Sequence, residues 1–281
     1  MLRDRLKSGV LLGGALISAV FFLPIEWVLP VLLLIAFLGL IEFYALLDAS
    51  QIPHFKVIGV LGGLTLITAS WFALRTGAVW RNEVEVVVLF ATTALILLRQ
   101  IFCPQSDRPW DSMASTLFGV IYVAFLFNFI LKLLVGWGPG VHGKMLILYL
   151  VLVVKLTDVG AFFIGCAIGR HKLIPRVSPK KTWEGLAGGL LTGLAASLLF
   201  VHFGHGHVGP FDFTFTDAIV LGLLLPVAGV MGDLIESVLK RAAGVKDSGT
   251  FIHGMGGVLD VIDSLLFTAP FLYIYTRFFI A

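Results

Sequence analysis

The residues of this chain that could do chemistry fall into short, evenly spaced groups. Asp233, Glu236, Ser237 and Lys240 follow at i, i+3, i+4 and i+7, which places them on one face of a helix. Asp260 and Asp263 repeat the i, i+3 spacing, as do Lys155 and Asp158, although the last two also read as a pair that neutralises itself. Carboxylates without His or Cys beside them suit Mg²⁺ or another hard cation, with water and substrate phosphates completing the coordination shell. Asp233 and Asp260 are the acids short of neighbouring cations, and so the pair that asks for such a metal. Two stretches, Ser178-Pro179-Lys180-Lys181-Thr182 and Lys240-Arg241, offer positive charge and hydroxyl donors to phosphate oxygens. The glycines of Gly254-Met255-Gly256-Gly257 let backbone approach a bound anion closely.

These groups must be positioned by membrane-spanning helices. Of 281 residues, 58% are hydrophobic and only 13% are Asp, Glu, Lys or Arg, with a mean hydropathy of +1.00. Soluble domains carry about 25% charged residues, so a soluble enzyme, a disordered chain and a nucleic-acid binder are all excluded. Apolar blocks of roughly 18 to 24 residues are long enough to cross a hydrocarbon core of about 30 Å. Breaks at Pro, Gly and charge clusters predict about nine spans, at 8–24, 27–47, 56–74, 84–103, 113–135, 145–168, 184–202, 217–239 and 258–279. The first is read as an uncleaved helix. Fourteen of the 20 Lys and Arg fall in one set of alternating loops and five in the other, so the N-terminus and the basic loops 169–183 and 240–257 are expected in the cytoplasm. The predicted fold is therefore an all-α polytopic membrane protein. Residues 1–144 are expected to form the N-terminal helices, and 145–281 a catalytic part whose active site lies at the cytoplasmic rim.

An ionisable residue within a span is costly unless it is paired or faces water. Glu42, Lys155, Asp158, Asp233, Glu236, Asp260 and Asp263 are all of this kind. Carboxylates, basic groups and flexible glycines meeting at a membrane rim fit phosphoryl or nucleotidyl transfer to a lipid. Cys103 and Cys166 supply neither a disulfide framework nor a metal cluster. His202, His205 and His207 lie on the opposite face from the acids and read as a solvated loop. Small-residue pairs such as Gly165 with Gly169 and Gly189 with Gly193 read as helix packing.

The run Ser237-Val-Leu-Lys240-Arg241-Ala-Ala-Gly-Val-Lys246-Asp247-Ser-Gly249, continuing to Gly256-Gly257-Val-Leu-Asp260-Val-Ile-Asp263-Ser264, resembles the C-terminal signature of phosphatidate cytidylyltransferases. Asp158-Val-Gly-Ala161-Phe-Phe, Gly169-Arg170 and Ser178-Pro-Lys180-Lys181-Thr182-Trp-Glu184-Gly185 resemble that family's upstream motif. Two departures stand out: His253-Gly-Met255-Gly256-Gly257 replaces the usual Pro-x-His-Gly-Gly, and Val261 replaces the Arg of Asp-Arg-x-Asp. The resemblance implies transfer of CMP from CTP to phosphatidic acid, giving CDP-diacylglycerol and pyrophosphate in a bacterial inner membrane. It also implies that Asp233 and Asp260 hold Mg²⁺, with a second, monovalent cation left open. Asp263 is then a further ligand. Lys240, Arg241 and Lys246 neutralise phosphates, while Ser178, Lys180, Lys181 and Thr182 complete the CTP site. Ser237, Asp158 and Asp247 are polar partners, and a homodimer is left open. The alternatives are a cytidylyltransferase or kinase acting on another lipid, and an ion-coupled transporter, which would place its charges near the midplane of pseudo-symmetric halves.

Overall fold

A computed structural model describes residues 21–22, 24–77, 79, 83–102, 107–138, 141–249 and 256–280. Among the described residues, eight helices are long and apolar enough to cross a membrane: α1 (Ile25–Ala49), α2 (Lys56–Thr76), α3 (Val84–Phe102), α4 (Pro109–Val135), α5 (Lys144–Ile168), α6 (Trp183–Phe203), α7 (Phe215–Ala242) and α8 (Leu259–Ile280). They answer to eight of the nine expected spans. The first expected span falls almost wholly on residues 1–20, outside the described residues, as do Cys103, His253 and Met255. Large apolar side chains on the outward faces, such as Trp27, Phe90, Leu191 and Phe278, are more than half exposed. On helices of this length, such a surface is matched to lipid rather than water.

Helix limits follow local chemistry. Pro109 opens α4 at a position where its missing N–H has no acceptor to lose. Gly77 ends α2 with φ +64, the left-handed conformation a glycine adopts without steric cost. Midway along α4, residues Val120–Phe125 widen into a π-helical turn that turns Val120, Val123 and Ala124 inward. The expected loops at 169–183 and around His207 prove not to be irregular. The first carries an antiparallel hairpin, β1 (Lys172–Ile174) with β2 (Ser178–Thr182). The second carries β3 (His207–Val208) with β4 (Phe211–Asp212), where His207 Nδ1 lies 2.7 Å from Asp212 Oδ1. Strands of two to five residues are too short to show an alternating pattern against apolar flanks.

The chain divides into two compact units. The first comprises the described residues of 1–140 and 239–262. Its core is built around Tyr44, fully buried, whose hydroxyl donates to the Thr116 carbonyl at 2.8 Å. A buried polar group ties three of its helices together. Asn128 on α4 donates to Ser70 on α2 (3.1 Å) and to Glu85 on α3 (2.9 Å), and Lys132 pairs with Glu85 at 2.7 Å.

The second unit comprises 141–238 and 263–281. Its tightest seam joins α5 to α6 through glycines. A Cβ on Gly188 would meet Ile164 at 2.4 Å, and one on Gly193 would meet Thr157 at 2.4 Å. Small residues let helices approach closely where no hydrophobic effect drives association. Gly188→Leu is therefore expected to lower the thermal midpoint of the detergent-solubilised protein by the equivalent of about 1–3 kcal/mol. Leu191→Ala on the lipid-facing side of the same helix is expected to move it little, and the two variants can be compared by fluorescence-monitored melting.

Candidate active site

Within the second unit, the hairpin presents the basic motif. Lys180 is exposed, Ser178 and Lys181 are half-buried, and Thr182 is buried. The Thr182 hydroxyl accepts the Gly185 N–H at 3.1 Å and so caps α6. Glu184 in the first turn of α6 accepts the backbone N–H groups of Arg170 (3.1 Å) and His171 (3.2 Å), and its Oε1 lies 2.6 Å from His171 Nδ1. The start of the hairpin is thus anchored to the helix that follows it.

The hairpin delivers Lys181 to the acids. Its Nζ lies 2.8 Å from Asp233 Oδ2 on α7, while Ser237 donates to Asp233 Oδ1 at 3.4 Å, one turn further along. Asp233, Glu236 and Asp263 converge so that one carboxylate oxygen from each lies within 4.8 Å of the others. Glu236 and Asp263 are buried. Lys155 and Asp158 on α5 pair at 3.6 Å. Asp263 feels repulsion from Asp233 and Asp158 and attraction from Lys155, while Lys181 attracts Asp158. Gly232 permits this convergence: a Cβ there would stand 2.6 Å from the Asp263 carbonyl oxygen, which is backbone and cannot swing aside.

Three clustered carboxylates, two of them buried and Asp233 half-buried, are stable only if their charge is compensated. Oxygens around a hard cation at about 2.1 Å can lie up to about 4.2 Å apart, so a small side-chain adjustment of this trio would form a coordination site. The residue types and spacing therefore fit a divalent cation. Glu236, part of the expected polar stripe but outside the expected metal pair, proves to be a member of this group. Its position three residues after Asp233 was the available signal.

Within the first unit, Asp260 is engaged by its own loop. Its Oδ2 accepts the Ser248 N–H (2.9 Å), the Ser248 hydroxyl (2.8 Å) and the Gly257 N–H (2.7 Å), and its Oδ1 meets Lys240 at 2.5 Å. Lys240 and Arg241, expected in a loop, lie on the last turn of α7, where cations complement the helix dipole. Arg241 donates to the Val245 carbonyl at 3.2 Å. Lys246 and Asp247 are exposed. Gly256 has φ +100, and a Cβ there would collide with Asp260 Oδ2. Glu42 on α1 accepts the Val258 and Leu259 N–H groups at 2.9 and 2.8 Å.

Residues 3–279 match the model of the cytidylyltransferase family. The chain belongs to that family. Relatives named phosphatidate cytidylyltransferase occur in Haemophilus influenzae (35% identical, all of both chains) and Bacillus subtilis (32%, covering 96% of this chain and 97% of the relative). Another, from Staphylococcus aureus, is 34% identical over 92% of this chain and 95% of its own. The similarity to these cytidylyltransferases extends well beyond the two motifs, through the N-terminal helices.

The close approach at Gly232 has a measurable consequence. Gly232→Ala is expected to cost about 1–3 kcal/mol, because the crowding is against backbone. Gly229→Ala, one turn earlier, is expected to be near neutral, since its Cβ would meet nothing closer than 3.5 Å. Thermal midpoints of the two variants in detergent check the contrast.

Proposed function

We propose that this chain transfers the cytidylyl group of CTP to phosphatidic acid, giving CDP-diacylglycerol and pyrophosphate, in a bacterial plasma membrane with its basic loops in the cytoplasm. The observation that carries this reading is the convergence of Asp233, Glu236 and Asp263 with Lys181 of the basic hairpin. The names of the full-length relatives support the choice of lipid.

The chemistry needs no triad. The second pKa of a phosphomonoester is about 6, so the lipid phosphate is already an anionic nucleophile at neutral pH. One of its oxygens attacks the α-phosphorus of CTP. A P–O bond forms, the bond from that phosphorus to the bridging oxygen breaks, and pyrophosphate leaves. The barrier is chiefly repulsion between anions, lowered by positioned positive charge. Ser178, Lys180 and Lys181 are proposed to hold the triphosphate. Lys240, Arg241 and Lys246 neutralise triphosphate or lipid phosphate, and Asp260 works beside Lys240, whose ammonium donates to its Oδ1. Asp158 and Asp247 tune the charge of their surroundings. Thr182 acts by fixing the end of the hairpin. Asp233 and Asp263, with Glu236, would hold Mg²⁺, which when bound supplies further charge neutralisation at phosphate oxygens.

The test is purified protein in detergent with Mg²⁺, phosphatidic acid and CTP labelled at the α-phosphate. Label is expected in an organic-extractable product, and none is expected from CTP labelled at the γ-phosphate. Asp233→Asn is expected to lower the rate roughly 100-fold, and Lys181→Ala by a similar order, as for loss of a transition-state electrostatic contact. Lipid labelled from the γ-phosphate, or an unaffected Asp233→Asn, overturns the reading.

A further inference from the structure

A carboxylate within a membrane-spanning helix persists only where donors meet it, and Glu42 meets three. It is 7% exposed and accepts the backbone N–H groups of Val258 and Leu259, where α8 begins. The Ser248 hydroxyl lies 3.3 Å from its Oε2. The first N–H groups of a helix have no partner within it and carry the positive end of its dipole, so an anionic acceptor is the strongest one they can be given. Here that acceptor comes from a residue more than 200 positions earlier in the chain.

The surrounding backbone is shaped to admit it. A Cβ on Gly249 would stand 2.7 Å from Glu42 Oε1, and one on Gly257 would stand 2.2 Å from Oε2. Two signature glycines are therefore accounted for by a side chain outside the signature. The segment that Glu42 holds adjoins the one that holds Asp260, because Gly257, next to Val258, joins Ser248 in supplying all three donors to Asp260 Oδ2. The single Ser248 hydroxyl proton can serve one carboxylate at a time, and Asp260 is the nearer. With Oδ2 occupied in this way, Oδ1 is left to Lys240.

We infer that Glu42 is a positioning residue for catalysis: by clamping the start of α8 directly after Gly257, it sets the orientation of the Asp260–Lys240 pair. The inference rests on the proposed cytidylyl transfer. Loss of the Glu42 charge leaves the Val258 and Leu259 N–H groups without a full acceptor, loosens the backbone at Gly257, and lets the carboxylate of Asp260 turn. A residue acting in this way affects turnover more than substrate binding.

The test uses the full chain in detergent, with CTP and phosphatidic acid titrated separately. Glu42→Gln keeps the shape but offers one acceptor oxygen in place of two. It is expected to lower kcat at least tenfold, with each KM changed less than threefold. Glu42→Asp, which keeps the charge but shortens the reach, is expected to recover part of the loss. Gly249→Ala leaves Glu42 in place and pushes on its carboxylate, and is expected to lower kcat in the same direction. It serves as the deciding variant should Glu42→Gln fail to give a monodisperse protein. An inactive wild-type protein overturns the proposed function, and this inference with it. An active wild type with unchanged kcat in folded Glu42→Gln or Gly249→Ala overturns this inference alone, as does a loss confined to thermal stability.

Discussion

Charge inside a lipid-embedded helix bundle survives only where other charge or hydrogen-bond donors reach it, and the polar interior of this chain is organised by that demand. Glu85 is met by Lys132 and Asn128, Glu42 by the opening N–H groups of α8, and Asp260 by Lys240 and its own loop. Asp233 is met by Lys181. In each case at least one partner comes from a different element, so satisfying the charge also ties elements together. In water the same contacts would contribute little, but away from water they decide which helices lie together.

The carboxylates divide by the kind of neighbour that meets them. Glu42 and Asp260 are saturated with backbone and side-chain donors, and both hold a loop in shape. Asp233, Glu236 and Asp263 crowd together as three side chains, with Lys181 reaching Asp233 at 2.8 Å. The distinction separates carboxylates held by backbone donors from carboxylates gathered among other side chains. It rests on which donors reach each oxygen, since the residue types are the same.

Glycine plays a consistent part in both units. Gly232 brings α7 against the backbone at Asp263, Gly188 and Gly193 bring α6 against α5, and Gly249 and Gly257 make room for Glu42. At Gly256 the reason is conformational as well, since φ +100 is a region that side chains rarely tolerate. The signature glycines near Asp260 therefore serve loop geometry and the seating of a carboxylate, in addition to any approach of backbone to a bound anion.

Much was legible in the order of residues alone: the membrane class from hydropathy, eight described spans to within a few residues, the polar stripe from Asp233, and the family from two motifs. These are properties of local composition and of the 3.6-residue helical period, which survive without knowledge of contacts. What tertiary structure alone decided is which charges meet. That Asp263 joins Asp233 and Glu236, that Lys181 swings onto Asp233 from a hairpin too short to show in the pattern, and that Glu42 caps a helix more than 200 residues away all depend on long-range packing. Pairing across such distances leaves no periodic trace in a single sequence, because it is set by how helices pack and not by spacing along any one of them.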